Sequence, residues 1–225
     1  MEDKKNSQEF PLREAHHLVR DLMTPNPTIY WIDFLFNAIL GWVSFIIVLL
    51  APIFSIWEFI AFIIATLAHY RALIFIHELA HFKKGTFKFF RLIWNLIIGI
   101  PYVIPSFTYG IHYDHHKPDI YGTKEDGEYI PFATQKPILM VSYVLFSVFL
   151  PLLFFIRYFL LTPVSYLIPS LRKFCWERAS SLSINPTYKR PEGYIRNDKY
   201  WQLQEFSTFL YTITIILLII FEILS

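Results

Sequence analysis

The strongest constraint on this chain is a run without a single charge from Phe34 to Trp57, 24 residues long. A helix needs about 20 apolar residues to cross the hydrocarbon core of a bilayer, so the run predicts a membrane span that closes near Pro52. A second apolar stretch, Phe59 to Ile76, is interrupted only by His69 and Arg71. Hydrophobic residues make up 55% of the chain and charged ones 17%, a balance too oily for a soluble domain of this size. The expected fold class is therefore all-α: a polytopic helical membrane protein with four to six membrane-embedded segments.

Leu92 to Ile111 is also uncharged but carries Gly99, Pro101, Pro105 and Gly110, which predicts a broken or re-entrant segment rather than a straight span. Pro137 to Ile156 is apolar again, and 14 further uncharged residues follow Arg157, up to Leu171. These fit one long span or a tight hairpin. Arg172 to Glu205 is rich in lysine and arginine, as is Phe82 to Lys136. The positive-inside rule puts both stretches and the N-terminus in the cytoplasm, which favours the hairpin. The last run, Phe206 to Leu224, contains only Glu222 as a charge. Residues 1–30 read as a cytoplasmic segment without a secretory signal, in which Leu12, Ala15, Leu18, Val19 and Leu22 suit a short helix on the membrane surface. Residues 31–225 read as one membrane domain.

Several function classes are disfavoured. A net charge of +2 without a basic cluster gives no support for nucleic-acid binding. Cys175 is the only cysteine, so no disulfide framework or cysteine-rich metal site is available. The seven glycines form no Gly-x-Gly core, and the chain has no evident nucleotide site of its own.

Of eight histidines, five fall in two tight groups: His77 and His81 in HELAH, and His112, His115 and His116 in HYDHH, with 30 residues between the groups. On helices, each group presents its imidazoles on one face. The first group sits where the second span emerges and the second follows the broken segment, so both arrive at one cytoplasmic face. Converging imidazoles suit iron, zinc, copper or nickel, and a cation repays the cost of ionisable groups beside lipid. His16 and His17 read as solvated.

The two boxes resemble those of the membrane fatty-acid desaturase and hydroxylase superfamily, with its His-x-x-x-His box, a His-x-x-His-His box about thirty residues later and a third box near the C-terminus. The stretch ERASSLSINPTYKRP, Glu177 to Pro191, is similar to a segment that bacterial members carry between later spans. The resemblance implies a non-haem di-iron centre that uses dioxygen and two electrons from an external donor of ferredoxin or cytochrome type. It acts on a fatty acyl lipid within the membrane. A methylene C–H bond gives side-chain acids and bases nothing to work on, so a metal cofactor must supply the oxidant. His77, His81, His112, His115 and His116 would be the iron ligands. Glu78 and Asp114, inside the boxes, would orient ligand rings, and His69, two helical turns before His77, would support the cluster. Desaturation is the activity expected first, with hydroxylation of a lipid as its near alternative.

HELAH also fits the zinc motif His-Glu-x-x-His of an intramembrane metalloprotease, with Glu78 as general base. A third expectation comes from the end of the sequence. It stops in an apolar run before any third box, which suits a fragment, or a non-enzymatic paralogue whose centre is incomplete.

Overall fold

The computed structural model describes residues 12–19, 25–82, 87–129, 136–192 and 199–223. Among them every regular element is helical, and four helices are long and apolar enough to cross a membrane: Pro27–Leu50, Ile56–His81, Leu150–Leu167 and Lys199–Ile220. Lys83, Lys84 and Arg196, part of the charge asymmetry used to orient the chain, lie outside the described residues, as does Leu22 of the surface-helix reading. A short helix α1 does form over Leu12–Leu18.

α2 (Pro27–Leu50) and α3 (Ile56–His81) form an antiparallel pair. α2 starts where Pro27 fits the first turn and the Asn26 side chain accepts the Thr28 amide at 2.9 Å. α3 starts with Ser55 accepting the Glu58 amide at 3.1 Å while Glu58 reaches back to the Phe54 amide, a variant of the capping box. The seam uses small side chains: Ala38, Gly41 and Ser44 on α2 and Ala61, Ala65, Ala68 and Ala72 on α3 are all buried. Without a hydrophobic force between helices in lipid, such residues let backbones approach closely and gain dispersion contact. At Gly41 the approach is tightest, because a Cβ there would meet the His69 ring at 2.6 Å.

α4 (Lys88–Trp94) packs Phe90 and Trp94 against Phe34, Phe75 and Leu79, and the Trp94 indole donates to the Ala72 carbonyl at 2.8 Å. It continues as a π-turn over Asn95–Gly99 and then breaks before Pro101. Asn95 closes that break: its Oδ1 accepts the Ser106 amide at 2.7 Å and its Nδ2 donates to Ser106 Oγ at 2.9 Å. The broken segment expected from the glycines and prolines is thus real, and it delivers the one-turn helix α5 (His112–His115) beside the end of α3.

The hairpin expected between Pro137 and Leu171 does not form. α6 (Ile138–Ser147) passes into α7 (Leu150–Ile156) through Val148 and Phe149, both in the right-handed helical region, so the helix loosens ahead of Pro151 without reversing. A π-turn over Arg157–Leu161 then leads into α8 (Thr162–Leu167). Its extra residue turns the neighbours Arg157 and Tyr158 inward together, and both are buried. Extended backbone at Ile168 ends the run, and α9 (Pro169–Arg178) begins at once. The expectation of a hairpin rests on the basic residues of Arg172 to Glu205 alone, whereas the charge between the two apolar runs, Arg157, is buried within the helix against Glu205 of α10 (Lys199–Ile220).

Candidate metal centre

His77 and His81 lie on the last two turns of α3, one turn apart, and face α5. One ligand nitrogen from each of His77, His81, His112 and His116 falls within 4.8 Å of the others. His112 is the hub: its Nε2 is 3.1 Å from His81 Nε2 and 3.0 Å from His116 Nε2, and its ring centroid is 4.4 Å from that of His77. The Tyr109 ring stacks on His112 at 4.8 Å. The burial of His112, together with the neighbouring imidazoles, pushes its pKa down to about 4, so the ring is neutral at ordinary pH.

His115 stands apart from this group. Its ring lies 5.9 Å from that of His112 and 5.5 Å from that of His116, and its Nδ1 bonds to Asp126 at 2.9 Å. Of the three residues expected to support the cluster, Glu78 touches one of its histidines. Glu78 accepts the Tyr30 hydroxyl at 2.9 Å, and its other oxygen is 3.4 Å from His77 Nδ1. Asp114 pairs with Lys117. His69 sits between Trp42 and Tyr102, with ring centroids 5.0 and 5.3 Å away, and its Nε2 has no hydrogen-bond partner among the described residues.

Two carboxylates that bond to the box histidines were not singled out from the sequence. Glu128 Oε2 is 2.7 Å from His112 Nδ1, and Asp126 is the partner of His115. Burial pushes the Glu128 carboxyl up, opposed by His115 and Tyr109. These acids come 16 and 11 residues after their histidines, in the run EDGE. No local pattern separates them there from the solvated Glu125.

The donor set fits a transition metal. Four imidazoles are nitrogen ligands of the type such ions favour. With Nδ1 of His112 facing a carboxylate, its Nε2 carries the free lone pair. Nitrogens about 2.1 Å from one ion and at right angles stand about 3.0 Å apart, close to the spacing of His112 from His81 and His116.

An apolar cleft of about 410 Å³ runs along α3 to this cluster, between Leu73 and Ile74 on one side and Ile104 and Leu182 on the other, with His77 and Tyr109 in its wall. A larger open hollow of about 550 Å³, lined by Val48, Phe54 and Phe62, lies at the opposite end of α3.

Comparison with known proteins places these features. The sequence profile of the family described as fatty acid desaturase matches residues 55–222. A protein described as a ceramide hydroxylase from Caulobacter vibrioides (strain NA1000 / CB15N) is 36% identical over 205 residues, which is 91% of this chain and 58% of that protein. The chain thus spans about three fifths of the length of this relative. No solved structure matches.

Proposed function

Because the chain belongs to the fatty acid desaturase family, we propose that it is the metal-binding membrane core of an oxygen-dependent enzyme that hydroxylates an acyl-chain carbon of a ceramide-type lipid. The observation that carries the reading is the convergence of His77, His81, His112 and His116 from two distant boxes. These four would hold iron, and His115 would serve a second ion beside them. Such a centre supplies, when bound, the dioxygen-derived oxidant that an unactivated C–H bond requires.

The chain's own residues account for the rest of the task. The apolar lining of the cleft along α3 suits an alkyl chain laid against His77 and Tyr109. Tyr109 and Glu128 form a polar edge around His112. One hydroxylation consumes the lipid, dioxygen, two electrons and two protons, and yields the hydroxylated lipid and water. The electrons would come from an external donor of ferredoxin or cytochrome type, as in the enzymes the two boxes resemble. The lysines and arginines between Phe82 and Lys136 favour a cytoplasmic histidine cluster, within reach of such a donor.

Hydroxylation takes precedence over the desaturation expected first, on the strength of the relative described as a ceramide hydroxylase; desaturation remains the second reading, on the family description. The metalloprotease reading finds no support in that family. That scheme needs one more ligand, an acid or a histidine, and has no use for a second box of three histidines. The discriminating experiment is expression in a ceramide-producing host with a reductase, under ¹⁸O₂. Hydroxylation predicts a lipid that gains one ¹⁸O atom. Loss of two hydrogens without label would install desaturation in its place.

A further inference from the structure

The second histidine box is held on both flanks by one distant segment. Ahead of the box, the Leu182 amide donates to the Thr108 carbonyl at 2.9 Å and Arg190 Nη2 donates to the Phe107 carbonyl at 3.0 Å. Behind it, the Gly127 carbonyl accepts from Ser183 Oγ at 2.7 Å, the Ile184 amide at 2.9 Å and the Asn185 amide at 3.1 Å.

Asn185 is the centre of this clip. It is buried, and its Nδ2 donates to the carbonyls of Asp126 at 2.9 Å and Lys124 at 3.2 Å. Its Oδ1 accepts the Thr187 amide at 3.0 Å and the Thr187 hydroxyl at 2.7 Å. Every polar valence of the amide is therefore used. Gly127 is closely packed, since a Cβ there would meet Ile111 Cδ1 at 2.6 Å and a larger residue would need the Ile111 side chain to move.

The clipped turn aims its acids at the box. Asp126 is fully buried; it takes the Gly122 and Glu128 amides at 3.0 and 2.9 Å and the His115 ring at 2.9 Å. Glu128 takes His112 at 2.7 Å. A carboxylate only accepts, so a neutral imidazole facing one must carry its proton on Nδ1 and leave Nε2 bare.

We propose that Asn185 is a positioning residue for the metal centre: by clamping the Asp126–Glu128 turn, it sets His115 and His112 as Nδ1–H tautomers that present Nε2 as the ligand atom. The proposal rests on the metal-binding reading for its functional meaning, while the tautomers themselves are a property of the metal-free chain.

The test is ¹⁵N spectroscopy of ring-labelled histidine in the full chain, metal-free in detergent micelles at a pH where the rings are neutral. Wild type is expected to show Nδ1–H at His112 and His115. Glu128→Ala should change His112 alone and Asp126→Ala chiefly His115, while Asn185→Ala should change both, with Glu128→Gln restoring His112 in part. Ser183→Ala, which removes one bond to Gly127, is the milder variant should Asn185→Ala fail to fold, and it predicts a smaller change at both rings. Ferrous-ion affinity is expected to fall about 10- to 100-fold in Asn185→Ala. Nε2–H rings in wild type, or unchanged rings in both the Asn185 and Ser183 variants, would overturn the proposal. Failure of the metal reading shows separately, as wild-type chain with these tautomers and no histidine-dependent iron.

Discussion

Glu205→Gln is expected to destabilise the folded chain by roughly 3–5 kcal/mol, the cost of leaving a buried charge without its partner. Glu205 is fully buried, and its carboxylate takes Arg157 at 2.6 Å and Arg172 at 2.8 Å. The surrounding dipoles are already committed. Arg157 also donates to the Ala179 carbonyl, Thr162 and Ser180, while Arg172 lies over the rings of Tyr166 and Trp201. Glutamine keeps the shape and loses the charge, so two guanidinium groups remain beside a neutral amide. Because the network joins the Arg157 π-turn, α8 and α9 to α10, the loss should appear as cooperative unfolding of that half. Thermal unfolding in micelles followed by circular dichroism reads it, with a midpoint lowered by about 10 °C. An unchanged midpoint would mean that the pair is incidental to the packing of α10.

His112→Ala is expected to remove metal binding and reduce product to background. His112 Nε2 is the point where three imidazole nitrogens meet, and its ring joins the box to Glu128 and Tyr109. Its loss should exceed the roughly 10- to 100-fold cost of an outer hydrogen bond. Tyr109→Phe is the matched control: it keeps the stacked ring and gives up only a 3.4 Å contact to Glu128, so metal content should be retained. The two variants are read together by metal analysis and lipid mass spectrometry. Equal loss in both would assign the effect to the Tyr109–Glu128 contact beside His112 and not to the His112 nitrogen.

Much of this architecture was legible in the sequence because lipid leaves few options. Uncharged runs marked the spans, and Gly99, Pro101 and Pro105 marked the break that lets the second box return to the first. The histidine spacing showed which rings share a face. Two features were hidden for physical reasons. Arg157 only interrupts two apolar runs in the sequence, and the partner that lets it be buried, Glu205, closes a polar stretch 48 residues later. Asp126 and Glu128 read as solvated acids, because what buries them is the turn at Asn185, 59 residues from the Asp126 carbonyl it binds. Of the two acids inside the boxes, Glu78 reaches both the Tyr30 hydroxyl and His77 Nδ1, and Asp114 pairs with Lys117. Position along the chain is enough to group the histidines, whereas Glu128 and Asp126 reach them from across the fold.

The most direct test of the account is the metal content of the purified chain, loaded anaerobically with ferrous ion in detergent and measured by elemental analysis beside the His112→Ala variant. The account predicts stoichiometric iron in the wild-type chain and its loss in the variant. Zinc retained at one per chain with iron excluded, or iron equal in both proteins, would contradict it.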